Sequence, residues 1–272
     1  MLLNGIPSDH ISLSDRGLHY GDGLFETLAV VAGRPLLWER HMARLARGEA
    51  VLGLPTTDRL RLLEEAESLC RGVGRGVLKI ILTRGSGGRG YQPPEPCEPS
   101  RILSLYPWPE LPETWYRRGM EVRICDMRWS RNRRLAGLKH LNRLEQVLAR
   151  REWTDPDIGE GLMLDEQGCV ISGTRSNLFL LNGEGLVTPD LGFSGVAGVM
   201  RELVIETASR LGLPLEVRSP GLDDLVRADA LFVSNAVMGL CPVSRLAERR
   251  YAPEALSGEL RKALSALRGG LP

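Results

Sequence analysis

The chain has 272 residues, 43% of them hydrophobic and 25% charged, enough for one large or two modest globular domains whose core needs no disulfide or metal staple. Thirty-five Lys and Arg stand against 34 Asp and Glu, and the resulting charge of +1 gives no broad basic surface for nucleic acid. The five cysteines (Cys70, Cys97, Cys125, Cys169 and Cys241) are scattered without a C-x-x-C pair, which argues against zinc or a disulfide framework and for free thiols in a reducing cytosol.

The opening MLLNGIPSDH has neither the basic region nor the apolar run of a secretory signal. LFETLAVV and RPLLW are short apolar runs separated by Ala32-Gly33, a hairpin pattern. A helix is predicted from about Trp38 to Leu52, with His41 and Arg44 three apart on one face. A second follows over 57–71 behind a Thr-Thr-Asp cap. GVLKIILT reads as a buried strand, and RILSLY as another after the turn-rich insert RGSGGRGYQPPEPCEP. Residues 108–119 carry two prolines and a glycine and read as a linker. That places a small domain at 1–107 and a larger one at 120–272. In the second, strands are expected near 121–125, 161–165, 177–181, 186–188 and 230–234. Helices are expected over 141–151, 199–211 and 255–267, the first with Leu144, Val147 and Leu148 along one face. The most apolar stretch, ALFVSNAVMGL, is too short to span a bilayer. Strands and helices cluster instead of alternating, so the fold class is α+β in two domains.

Four segments carry candidate chemistry, each with a plain structural reading beside it. DRGLHYGDGLFET is a shaped loop feeding a strand, or an ordinary turn. RGSGGRGY offers Arg84 and Arg89 to carboxylates or phosphate, or is a flexible surface loop; it ends without the Lys-Ser/Thr of a P-loop. In LAGLKHLNRLEQ, Lys139 stands just before an expected helix N-terminus, where the positive helix end and desolvation would favour a free amine suited to Schiff-base chemistry; a solvated lysine is the plain alternative. SGVAGVMR opens a helix with amides that can bind phosphate, or is simply a cap. No catalytic triad and no metal-ligand spacing is present. The residues alone suggest a phosphate-anchored, anion-binding enzyme.

Taken in order, DRGLHYGDGLFET, HMARL, RGSGGRGY, LAGLKHLNRLEQ, SNLF and GVAGVMR resemble the branched-chain and D-amino-acid aminotransferase-like family of pyridoxal-phosphate enzymes, often called fold type IV, over residues 4–243. Within it, RGSGGRGY and AGLKHLNRLEQVLAR are similar to the aminodeoxychorismate lyase branch. The resemblance implies a cytoplasmic homodimer with pyridoxal 5'-phosphate at the domain interface. It implies 4-amino-4-deoxychorismate as substrate, and p-aminobenzoate (for folate biosynthesis) and pyruvate as products. It also implies roles. Lys139 bonds the cofactor and then acts as acid and base, with Thr27 as a catalytic hydroxyl beside it. Arg44 and the amides of Val199 and Met200 hold the phosphate. Ser172, Asn235 and Ala236 line the cofactor. Arg16 and Glu26 support cofactor and lysine from behind. Arg84, Arg89, Tyr91 and the basic loop 130–134 are candidates for the substrate carboxylates.

One position departs from the family pattern. Ser172 stands where the family places a glutamate against the pyridine nitrogen, and a hydroxyl would leave that nitrogen largely neutral. The lyase reaction tolerates this better than transamination, because forming an aromatic ring drives it. The alternatives are a D-amino-acid or branched-chain aminotransferase on the same scaffold and, in another class, a non-catalytic anion-binding module.

Overall fold

The computed structural model describes residues 1–183, 185–255 and 258–267. They form two compact units, Met1–Pro109 with Leu138–Asn142, and Glu110–Gly137 with Arg143–Pro272. Both are mixtures of helix and sheet, as an α+β class requires.

The first unit contains β1 (Leu2–Leu3), β2 (Ile6–Pro7), α1 (Arg16–Tyr20), β3 (Gly23–Val31), β4 (Arg34–Pro35), α2 (Trp38–Leu52), α3 (Arg59–Cys70), β5 (Arg75–Thr83) and β6 (Ser100–Pro107). Its antiparallel sheet runs β2-β1-β6-β5-β3-β4. The β3–β4 turn puts Ala32 and Gly33 at φ 47° and 75°, the left-handed pair that matches strand twist in a tight hairpin. Asp58 caps α3 by accepting from the Leu60 and Arg61 amides. Helices α2 and α3 cover one face, burying Leu28, Leu45, Leu62, Leu78 and Ile80. Gly76–Thr83, expected as a buried strand, therefore alternates. Leu78, Ile80 and Leu82 point into this core, while Val77, Lys79 and Ile81 lie on the face the helices leave uncovered.

The second unit contains α4 (Glu113–Arg118), β7 (Met120–Ile124), α5 (Leu144–Arg150), β8 (Ile158–Leu164), β9 (Val170–Gly173), β10 (Asn177–Asn182), β11 (Gly185–Pro189), α6 (Val199–Arg210), β12 (Leu215–Arg218), α7 (Leu222–Arg227), β13 (Ala230–Asn235), β14 (Gly239–Leu246), β15 (Arg249–Arg250) and α8 (Gly258–Leu267). The mixed sheet runs β12-β11-β10-β13-β14-β7-β8-β9. Its central strands are buried along almost their whole length, from Gly159 to Leu164 in β8 and from Ala230 to Ser234 in β13.

The structure differs from the sequence reading in several places. Residues 108–119 are not a bare linker: they contain α4, and Leu111, Trp115 and Tyr116 pack on the second core. Lys139, expected in the second domain, groups with the first unit. The helix expected over 141–151 starts only at Leu144, and its apolar row is exposed, with Leu144 at 76%, Val147 at 52% and Leu148 at 47%. Strands β9, β12 and β14 interleave with polar or glycine positions and escape the periodicity. Of the terminal helix expected over 255–267, Leu256 and Ser257 lie outside the described residues.

Candidate active site

Lys139 is held by strand β3, not by a helix end. Its carbonyl accepts from the Phe25 amide at 2.9 Å, Leu141 donates to the Gly23 carbonyl at 3.0 Å, and His140 bridges Leu24. The segment 138–142 thus lies along the start of β3, and α5 begins five residues downstream of the lysine. The helix-dipole argument for Lys139 fails at that distance, since the field fades within the first turn. What the lysine meets is an aromatic face: Nζ lies 4.1 Å from the centre of the Phe25 ring. Thr27 follows two residues along β3, on the same face of the sheet.

On the opposite face of β3, Glu26 is fully buried and accepts from Arg44 Nε at 2.8 Å, from Arg44 Nη2, and from His41 Nδ1 at 2.6 Å. Helix periodicity brings His41 and Arg44 to one carboxylate, and both are buried where surface placement is the usual fate of such a pair. Burial alone would raise the Glu26 pKa. The Arg44 charge and the hydrogen bonds from Arg44 and His41 override it and bring the pKa from 4.5 down to about 2. His41 is held below its ordinary pKa by burial, with the Arg44 and Lys139 charges adding to the effect. An ionised carboxylate only accepts, so the proton of neutral His41 sits on Nδ1. Its Nε2 is buried with no hydrogen-bond partner among the described residues.

The arginines near the glycine-rich loop have structural work. Arg84 is buried, and donates to Asp22 from Nε at 2.7 Å and to the Gly53 and Leu52 carbonyls at 2.9 and 2.7 Å. Its fork is taken up by these structural partners, where the sequence reading offered it to a substrate carboxylate. Arg16, expected behind the cofactor and lysine, instead bonds Asp22 and the carbonyls of Gly90 and Tyr91, and stacks on Tyr20. It fixes the loop that carries Arg89 and Tyr91, both exposed. Within the basic loop 130–134, Arg131 pairs with buried Asp165 and, with Arg133, stacks on Phe193.

In the second unit, α6 begins at Val199 with Gly198 as cap and no side-chain cap bond. The first-turn amides, including those of Val199 and Met200, have no partner inside the helix. A Cβ at 198 would run into Asn177 Oδ1, so any side chain there must displace that amide, whose Nδ2 donates to the Val196 carbonyl at 2.9 Å. Gly137 is bonded to the same loop, its amide to the Gly195 carbonyl and its carbonyl from the Ala197 amide, each at 3.0 Å. Ser172 is buried. Its hydroxyl accepts from Trp129 Nε1 at 3.1 Å and donates to the Gly173 carbonyl at 2.9 Å. Asn235 Oδ1 accepts from the Val237 and Met238 amides, shaping the turn that contains Ala236.

Residues 23–246 match the model of the class IV amino-transferase family. The chain belongs to that family. Among its relatives, an aminodeoxychorismate lyase of Vibrio harveyi is 36% identical over 93% of this chain and 92% of its own. A D-alanine aminotransferase of Bacillus licheniformis is 25% identical over 87% of this chain and 83% of its own. The crystal structure of 4-amino-4-deoxychorismate lyase from Pseudomonas aeruginosa superposes with a TM-score of 0.93, at 46% identity, covering 97% of this chain and 98% of that one.

In this class IV chain the structure brings Lys139, Phe25 and Thr27 to one face of the first sheet, and Glu26, His41 and Arg44 to the other. Two residues were missed, Lys79 and Glu160. Lys79, also on the Phe25 face, was visible as a lone charge interrupting GVLKIILT. His41 was seen only as a neighbour of Arg44. Glu160 gave no signal: it is a buried carboxylate that accepts from the Gly161 and Thr174 amides and from Ser176 Oγ, and so shapes the turn before Asn177.

Proposed function

We propose that the chain is a lyase that cleaves 4-amino-4-deoxychorismate to p-aminobenzoate and pyruvate with pyridoxal 5'-phosphate bound at Lys139. The observation that carries the reading is the placement of Lys139 against Phe25, on the face of β3 that also carries Thr27, in a chain that is similar along nearly its whole length to a solved lyase of that substrate. The donor set fits the cofactor. An α6 N-terminus with a glycine cap and no side-chain cap bond suits a phosphate, and His41 Nε2, buried with no partner among the described residues, lies in the cluster that orients Arg44. Arg44 and the amides of Val199 and Met200 would hold the phosphate, with Asn235, Ala236 and Ser172 along the ring. When bound, the cofactor supplies an electrophilic aldehyde and an electron-withdrawing ring.

The chain's own residues then divide the proton work. Lys139 Nζ removes the proton from the ring carbon that bears nitrogen. The neighbouring carbon–oxygen bond breaks, and the ring becomes aromatic. Thr27 Oγ1 serves the departing enolpyruvyl arm, whose carbon takes up a proton to give pyruvate. Ser172, with its hydroxyl engaged by Trp129 and Gly173, adds no negative charge to the ring. That suits a reaction driven by aromatisation and handicaps transamination. The exposed row Leu144, Val147 and Leu148 supports a homodimer, which sedimentation at twice the chain mass would establish. No described helix is long and apolar enough to cross a membrane.

The test is direct. Protein saturated with the cofactor and reduced with borohydride should carry the adduct on Lys139 by mass spectrometry, and the unreduced protein should release p-aminobenzoate from aminodeoxychorismate. Thr27→Val should lower turnover about a hundredfold with the adduct intact. Transfer of an amino group from a D-amino acid to a keto acid, without p-aminobenzoate formation, would replace the lyase by the aminotransferase reading.

A further inference from the structure

The chain that delivers Lys139 runs beside the entrance of α6 first. Residues 129–137 lie between β7 and α5 and form no helix or strand of their own, so cross-bonds set their course. The Trp129 amide donates to the Leu164 carbonyl of β8 at 2.8 Å. From there the segment pairs with residues 193–197. The Asn132 amide donates to the Phe193 carbonyl at 2.8 Å, and Ser194 Oγ donates to the Ser130 carbonyl at 2.9 Å. Gly137 closes the run with its two bonds to Gly195 and Ala197. Side chains add to this pairing. Arg131 and Arg133 stack on the Phe193 ring, 4.0 and 4.3 Å from its centre, and Arg131 is pinned by buried Asp165. The other oxygen of Asp165 accepts from the Gln167 and Cys169 amides at 3.0 Å each, so the pin is itself fixed. Only Leu138 separates Gly137 from Lys139.

Residues 193–198 therefore have two neighbours along the chain's course: the first-turn amides of α6 at one end, and the lysine segment along their side. An anion taken up by those amides orders 193–198. Because that run is bonded to 130–137 along its length, the order extends to the backbone that carries Lys139. A ligand that rigidifies a shared element lowers the ordering cost for a second ligand. We infer that residues 129–137 are a latch through which an anion at the start of α6 sets Lys139 for reaction, with Phe193 and Ser194 as positioning residues. This rests on the reading above, in which the α6 amides take the cofactor phosphate. The consequence is that aldehyde and phosphate need not be joined. Inorganic phosphate should favour capture of unphosphorylated pyridoxal, in which Lys139 Nζ bonds the aldehyde carbon and the carbonyl oxygen leaves as water. Linkage demands the converse, that pyridoxal tightens inorganic phosphate by the same factor.

The wild-type protein is first shown to trap pyridoxal phosphate on Lys139 with borohydride; failure there removes the role of Lys139 and not merely the latch. The dissociation constant of pyridoxal is then measured by absorbance at one ionic strength, with inorganic phosphate or with chloride. Phosphate should tighten pyridoxal roughly tenfold. It should also slow hydrogen exchange in 129–138 as well as at the start of α6. Phe193→Leu removes the stacked ring, and Ser194→Ala removes one hydroxyl donor. Each should reduce the tightening to about twofold or less and confine the protection to α6. Phe193→Tyr, which keeps a ring for the two guanidiniums, should restore the tightening. Equal pyridoxal affinity in phosphate and in chloride, with trapping of pyridoxal phosphate intact, would overturn the latch. Tightening undiminished in both Phe193→Leu and Ser194→Ala would overturn this route for it. Should Phe193→Leu fail to fold, Ser194→Ala decides alone, and the exchange pattern of the wild type decides without any variant: protection that stops at α6 overturns the inference.

Discussion

The two units carry their candidate chemistry in different currencies. In the first, charged side chains stand on both faces of one sheet: Glu26 with Arg44 and His41 under the helices, Lys139 and Lys79 on the Phe25 side. In the second, the central strands are buried along almost their whole length, and the donors are backbone amides at the start of α6, shaped by glycine and by Asn177. Side-chain charge titrates and can be deleted atom by atom. Backbone donors do not titrate and are removed only by changing the shape of the loop. Substitutions in the two units should therefore fail in different ways.

The largest effect is expected at Lys139. Lys139→Ala should abolish borohydride capture and lower p-aminobenzoate formation about a thousandfold or more, while the folded state persists by circular dichroism. Next is the buried ion cluster. Removing one partner of such a pair costs about 3–5 kcal/mol, so Glu26→Ala should show that loss in urea unfolding. The Glu26 carboxyl is depressed from 4.5 to about 2, so its ionised form stabilises the fold above pH 4.5, and that contribution disappears as the pH falls through 2. Glu26→Gln should lack this acid-dependent component when melting temperature is followed over that window.

Gly198→Ala tests the second unit. The added methyl meets Asn177, and overpacking of this kind costs about 1–3 kcal/mol. If the α6 amides hold a phosphate, the variant should weaken binding of pyridoxal phosphate and leave that of unphosphorylated pyridoxal unchanged in a fluorescence titration. A loss equal for both would shift the phosphate away from this loop. The smallest effect is expected at Ser172. Ser172→Ala leaves the Trp129 N–H without its acceptor, worth about 1–3 kcal/mol in stability, yet turnover should stay within about tenfold because that hydroxyl is engaged by the protein itself.

Much of this was legible in the sequence because local signals agreed with the fold. The period of α2, the Ala32-Gly33 hairpin and the Asp58 cap each rest on residues close together in the chain and could be read directly. The site's long-range contacts could not. Nothing near Lys139 in the chain says that its carbonyl bonds Phe25, and the helix start at Leu144, three positions later than expected, removed the dipole argument. The structural partners of Arg84 and Arg16 were hidden for the same reason. An arginine in a glycine-rich segment suggests ligand binding until its carbonyl partners, up to 76 positions away in the chain, are known. Lys79 was hidden by the reading of its strand as buried on both faces, whereas α2 and α3 cover only one.

The five residues 138–142 return to the first unit after the chain has already entered the second. A polypeptide ending at Pro109 would lack them, leaving the Gly23 carbonyl and the Phe25 amide without their partners at the edge of the sheet. Cutting the gene at the visible boundary would thus give a sticky, incomplete half. A faithful split would have to supply 138–142 as a separate peptide strand or graft it onto the end of the first half. The short peptide then becomes a complementation tag, with recovery of fold reporting its docking.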